Sequence, residues 1–299
     1  MCVAALGFLL ASPAAAGALR VCADPNNLPF SNAARDGFEN KLAELLAADL
    51  GDELEYVWWA QRRGFVRNTI RAGACDVLLN VPMGFDTVLT TRPYYRSTYV
   101  FVARRGATLP KNLDDPVLRD LRIGVQMIGN DFSNSPPAHA LASRGIIDNV
   151  RGYMVYGDYA DPNPAAGILR AVMDGEVDVA IVWGPLAGYF AGREALALAP
   201  VRPERDAGLP MAFSMAMGVR KGNDALRDRL DGFIARHASE IEHILDAYGV
   251  PRLPPSAPGG AQCAGFSSSS AASFWPAASA KNGISARRPR SRRCRRPFP

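Results

Sequence analysis

The sequence predicts an α/β fold in two related lobes, each a mainly parallel sheet flanked by helices, with two crossover strands between them. Three observations carry that prediction. First, the stretch from Tyr56 to Pro82, YVWWAQRRGFVRNTIRAGACDVLLNVP, reads as strand, basic turn, short helix, Gly-x-x-Asp step (Gly73, Asp76) and second strand. Second, the stretch from Ile168 to Pro185, ILRAVMDGEVDVAIVWGP, repeats the later part of that unit, and its own step (Gly175, Asp178) feeds an apolar strand that ends in proline. Third, Leu42, Leu45, Leu46 and Leu50 recur at helical spacing between charged Glu39, Lys41, Glu44 and Asp49. With a strand from Leu19 to Ala23 ahead of that helix, the order becomes β-α-β-α-β. Such a sheet carries its ligand loops beyond the carboxyl ends of its strands.

Taken in order, the chain opens with an apolar run (Val3 to Ala11) followed by Ser12, Pro13 and an A-x-A site at Ala14-Ala15-Ala16. This reads as a secretory signal over residues 1–18, since the run is shorter than the about 20 apolar residues that span a bilayer. No later stretch is long and apolar enough to cross a membrane, so the expected location is the periplasm. The first strand ends in Asp24-Pro25-Asn26-Asn27-Leu28-Pro29-Phe30, whose prolines stop any helix. A helix from Phe38 to Leu50 then closes at Gly51. In the next strand, adjacent Trp58 and Trp59 point to opposite faces, so one is expected in the core.

Thr98 to Ala103 is a β-branched and aromatic run expected to leave lobe one. A connection (Pro110 to Leu121) leads to a strand at Leu121 to Gln126, and after the loop Gly129 to Pro137 the Pro-Pro pair begins a helix through Ala142. A strand at Tyr153 to Tyr156, a helix at Pro164 to Met173 and the strand Val177 to Val182 follow. Met211 to Val219 returns to lobe one, and Asp224 to Tyr248 supplies two last helices. The expected division is lobe one at 19–103 and 211–253, lobe two at 104–210, and a tail at 254–299.

The net charge of +5 is misleading. The tail alone holds eight basic residues and no acid, which leaves residues 1–253 at −3. Its Pro, Ser, Ala and Gly content cannot bury enough apolar surface to order itself, so its Arg cluster reads as a solvated extension, with no nucleic acid expected as partner. Of the five cysteines, Cys2 lies in the signal and Cys263 and Cys294 in the tail. Cys22 and Cys75, each beside a strand, form a candidate disulfide in an oxidising compartment; the alternative is two buried thiols.

Six blocks, VCADPNNLPFSN, GFENKLAELLA, QRRGFVRNTI, GACDV, TTRPYYRSTYVFV and DVAIVWGP, span residues 21–185. Together with the paired Gly-x-x-Asp steps, they resemble the type II periplasmic binding-protein fold. Within it they resemble the quinoprotein-dehydrogenase-associated family of the MxaJ and XoxJ type. The resemblance implies a periplasmic protein partnered with a pyrroloquinoline-quinone (PQQ) methanol or alcohol dehydrogenase and its cytochrome c, acting through contact and without a cofactor of its own. A solute receptor for an ATP-driven importer is the alternative, and an enzyme on the same fold would need a cleft acid of raised pKa.

Asp24, Asn26, Asn27 and Phe30 follow the first strand, Asn80 and Met83 follow the Gly-x-x-Asp strand, and Trp183 follows its echo, so these are expected at the mouth of a cleft. Gln61, Arg62 and Arg67 in the basic turn, Tyr94, Tyr95 and Arg96 before the crossing strand, and Gln126 and Asn130 after the lobe-two strand complete the expected ligand or partner surface. Receptors of this fold that take amino acids place an arginine before the Pro-Tyr block, where it holds a carboxylate with two parallel hydrogen bonds. Gly84-Phe85-Asp86-Thr87 stands there instead, which argues against an amino acid. His139, His237 and His243 lack metal-ligand spacing, and His237 and His243 are expected on solvated helix faces. No Gly-x-Ser-x-Gly, phosphate-cradling loop or C-x-x-C-H occurs, so the expectation is a non-enzyme without metal or haem.

Overall fold

The computed structural model describes residues 17–62, 64–127, 134–155, 160–161 and 163–255. The expected signal through Ala16, the tail beyond 255, Arg63, Asn130 and Tyr156 lie outside the described residues.

Strand β1 (Ala18–Ala23) runs into a small antiparallel pair, β2 (Asn26–Asn27) and β3 (Ser31–Asn32). Helix α1 (Phe38–Leu50) buries Phe38, Leu42 and Leu46 completely and stops at Gly51, whose φ of 69° is left-handed. Each of those side chains contributes about 1.5–3 kcal/mol by leaving water. Next come β4 (Glu53–Trp58), the short α2 (Phe65–Asn68), β5 (Val77–Pro82) and the long β6 (Leu89–Arg104). The chain continues through β7 (Ile123–Met127), α3 (Pro136–Ser143), β8 (Val150–Met154), α4 (Gly167–Met173), β9 (Val179–Trp183), α5 (Gly184–Ala191) and β10 (Leu196–Pro200). A second small pair, β11 (Arg205–Asp206) and β12 (Leu209–Pro210), precedes β13 (Ala212–Val219), α6 (Asp224–Arg236) and α7 (Ala238–Ala247).

Among the described residues the main sheet has nine strands in the order β4-β1-β5-β13-β6-β9-β7-β8, with β10 also on β6. The β1 pairings with β4 and β5 and the β7 pairings with β8 and β9 are parallel. β6 joins the two groups: it pairs with β13 up to Thr98 and with β9 from Tyr99 onward. The fold class is therefore the expected α/β arrangement of sheet and flanking helices.

The Gly-x-x-Asp steps build the same latch twice. Arg20 donates its backbone N–H and Nε–H to one oxygen of Asp76 (3.0 Å each) and Nη2–H to the other (2.6 Å). Arg122 repeats this on Asp178 at 2.9, 3.0 and 2.6 Å, and both pairs are 56 residues apart. Gly73 (φ 72°) and Gly175 (φ 73°) turn the chain into each latch in a conformation that glycine adopts without strain. Beside the first latch, Cys22 and Cys75 form a disulfide with a Cα–Cα distance of 5.5 Å, packed among Phe65, Val66 and Ile70.

Several elements differ from the sequence expectation. β6 starts at Leu89 rather than Thr98, because Pro93 sits opposite Ala216 at a register shift where no ladder N–H is required. α5 follows β9 directly, with Pro185 in its first turn, where an amide hydrogen is unneeded. A Cβ on Gly188 would lie 2.0 Å from the Gly249 carbonyl oxygen, so only glycine lets α5 press onto the segment after α7. β8 begins at Val150 rather than Tyr153. His237 is not on a solvated face: it sits at the α6–α7 junction with Nε2 2.9 Å from Asp49 Oδ1 and Nδ1 3.3 Å from Glu240. Neither tryptophan of the adjacent pair is in the core: Trp59 is 42% exposed, and the half-buried Trp58 stacks its ring on Tyr56 at 4.5 Å on the surface of the edge strand β4.

Candidate functional site

Beyond the carboxyl end of β1, the buried Asp24 carboxylate organises two loops. One oxygen accepts from the Asn26 amide (2.8 Å) and the other from the Gln61 amide (2.6 Å). Asn27 donates from Nδ2 to Gln61 Oε1 at 2.6 Å, a second tie between the same loops. Asn26 reaches across to the other half of the molecule, donating to the Asp161 carbonyl (2.9 Å) and accepting from the Asn163 amide (3.2 Å). Phe30 lies 5.4 Å from the Phe38 ring, which meets Tyr95 edge-on at 6.4 Å.

Asn80 sits at the centre of a polar chain. Tyr95 donates its hydroxyl to Asn80 Oδ1 at 2.9 Å, and Tyr94 donates to the Leu79 carbonyl at 2.8 Å. Burial pushes both phenols well above their ordinary range. Asn80 also lies beside Glu39, in the first turn of α1, close enough to influence its carboxyl. Loss of hydration pushes the Glu39 carboxyl up to about 8, nearby Asp24 adds to the rise, and Asn80 opposes it. Glu39 keeps a partly exposed face, and among the described residues it forms no ion pair. Loss of hydration therefore favours its uncharged form relative to an ordinary surface carboxyl. Sequence reasoning placed Glu39 only among the polar positions of α1. Its proximity to Asn80, 41 positions along the chain, arises from tertiary packing.

The remaining expected residues fall into three groups. Gln126 and Trp183 are buried braces: Gln126 Oε1 accepts the Trp183 amide at 2.7 Å, and the Trp183 ring packs on Tyr99 (5.4 Å) and Phe213 (5.7 Å). Arg96 is committed to Glu204 through a charge-assisted pair and to the Pro254 carbonyl at 3.4 Å, so it braces the chain's return. Arg62 and Arg67 are exposed on the basic turn, and Met83 is 41% exposed after β5. Asp24, Asn26, Asn27, Gln61, Asn80 and Tyr95 are thus brought together, whereas Arg96, Gln126 and Trp183 serve the framework beside them. Asn130 lies outside the described residues.

A sheet of two parallel groups joined through β6, with polar loops gathered at the ends of β1 and β5, defines a solute-binding protein of the type II periplasmic class. The chain belongs to the bacterial extracellular solute-binding proteins, family 3, whose model matches residues 19–250. It is 34% identical over 272 residues to Protein MoxJ of Paracoccus denitrificans, covering 84% of this chain and 96% of that one. To Protein MoxJ of Methylorubrum extorquens it is 31% identical over 257 residues, covering 81% and 83%. The crystal structure of the periplasmic binding protein XoxJ from Methylobacterium extorquens superposes with a TM-score of 0.64 at 35% identity, covering 79% of this chain and all of that chain. Among the described residues no helix is long and apolar enough to cross a membrane.

Proposed function

We propose that this protein is a periplasmic accessory of a PQQ-dependent methanol or alcohol dehydrogenase system, exported by its N-terminal signal, and that it aids the enzyme's maturation or activity by direct contact. The observation that carries the proposal is the similarity to MoxJ and XoxJ at 31–35% identity along most of the chain. The placement of the residues agrees with a contact role. The polar groups at the cleft are largely bonded to one another, and Asn26 already bridges to Asp161 and Asn163. Cytochrome c is the second expected member of the assembly, and binding rather than catalysis is the role assigned.

Purification of the tagged protein from periplasm under gentle conditions tests this. The expected result is recovery of the dehydrogenase large subunit and a fall in dehydrogenase activity on deletion of the gene. Recovery of none, with activity unchanged, refutes the proposal. One observation favours a second reading, a solute receptor: the Glu39 carboxyl beside Asn80 keeps a partly exposed face and is suited to a small polar ligand. Calorimetry against alcohols, organic acids and amines separates the two, since micromolar binding with lobe closure belongs to a receptor.

A further inference from the structure

We infer that the outer side of the turn around α2, built on Arg62, Arg67 and Arg71, is a docking face for an acidic surface of the dehydrogenase; the inference rests on the accessory reading above. Several arginines of the fold are neutralised where they stand, as Arg20 is by Asp76, Arg122 by Asp178, Arg144 by Asp206 and Arg170 by Asp161, whereas this turn gathers three that are not. Arg62, Arg67 and Arg71 are exposed, and among the described residues none of them pairs with an acid. Three unpaired cations within ten residues repel one another, and an opposing acidic surface relieves that cost.

The turn is also held rigid, which lowers the ordering cost of binding. Its backbone is pinned by the Gln61 amide on Asp24 (2.6 Å), the Arg62 amide on the Ala60 carbonyl (2.7 Å) and the Phe65 amide on the Arg62 carbonyl (2.9 Å). Its inner side, Phe65, Val66 and Ile70, is buried against the Cys22–Cys75 disulfide. Trp59, 42% exposed and three positions before Arg62, adds the kind of side chain that, like arginine, concentrates binding energy at protein interfaces.

The test is biosensor binding of the full-length mature protein to the purified dehydrogenase at about 50 and about 300 mM NaCl, a range over which the screening length falls by slightly more than half. Wild type, the triple variant Arg62→Glu, Arg67→Glu, Arg71→Glu and its Arg→Lys counterpart are compared, with melting temperatures confirming the fold. The expected result is association slowed about ten-fold or more in the reversal variant at low salt, a flattened salt dependence, and near-wild-type rates for the lysine variant. Equal binding by wild type and reversal variant overturns this inference and leaves the accessory role standing. No binding by wild type overturns both. Loss of binding to phosphatidylglycerol vesicles, with dehydrogenase binding retained, reassigns the turn to a lipid surface and also overturns the inference.

Discussion

The two Arg–Asp latches are near copies, but what surrounds them is not. Arg20 and Asp76 hold β1 to the chain entering β5, and Arg122 and Asp178 hold β7 to the chain entering β9, with hydrogen bonds that agree to 0.1 Å. Beside the first stand a disulfide and a turn of unpaired arginines; beside the second, Gly124 and Val177 occupy the cysteine positions, and Arg170 is neutralised by Asp161. A repeated unit keeps the contact that fixes its strands and varies the turn it displays. The difference places extra covalent fixation under a turn that carries three arginines without acid partners among the described residues.

Removing that fixation has the largest expected effect. Cys22→Ser with Cys75→Ser frees a 53-residue loop and costs about 2–4 kcal/mol, read from the urea unfolding midpoint. The latches come next. Asp76→Ala leaves Arg20, 39% exposed, without its bidentate partner and costs about 1–2 kcal/mol. Asp178→Ala costs less, because Arg122 at 57% exposed is better hydrated when released. Equal losses would erase the distinction between the halves.

Installing the missing bond sharpens the comparison from the other side. Gly124→Cys with Val177→Cys oxidises to a disulfide, seen as the loss of two hydrogens by mass spectrometry, because the strand register matches that of β1 and β5. The gain is smaller than the loss in the first half, since a Cβ at 124 already meets Ile168 and Tyr153 at 3.3 Å. Glu39→Gln tests the cleft acid. A carboxyl raised from 4.5 to about 8 destabilises the fold as pH climbs between those values, because the unfolded chain ionises first. The variant therefore melts with wild type below pH 4.5 and increasingly above it up to about pH 8. The smallest effect is at His237, raised chiefly by its hydrogen bond to Asp49. Its stabilisation is present below pH 6.5 and fades as pH rises through the elevated folded value, so a His237→Gln variant approaches wild type in alkaline buffer.

The periodic features were legible in the sequence. Alternating leucines and Gly51 delimit α1, the Gly-x-x-Asp steps mark both latches, and two strand-borne cysteines in an exported chain point to the disulfide. Features that depend on distant partners were not. Glu39 has the same local setting as Glu44, and only packing against Asn80 sets it apart. Arg96 precedes the expected crossing strand and Gln126 and Trp183 sit near strand ends, where ligand contacts are expected, yet Arg96 lies within β6 and is claimed by Glu204, and the other two bond to each other. β10 and the early part of β6 were missed because Leu196–Pro200 is short and Pro93 reads locally as a break.

The most direct measurement is site-specific photocrosslinking to the purified dehydrogenase, with benzoylphenylalanine in place of Arg67 on α2 or of Met173 on α4, which precedes the Gly-x-x-Asp step of the second half. Adducts mapped by mass spectrometry to an acidic surface of the dehydrogenase from position 67, and none from position 173, are predicted. Adducts from position 173 alone, or equally from both, would contradict a contact face built on the first half.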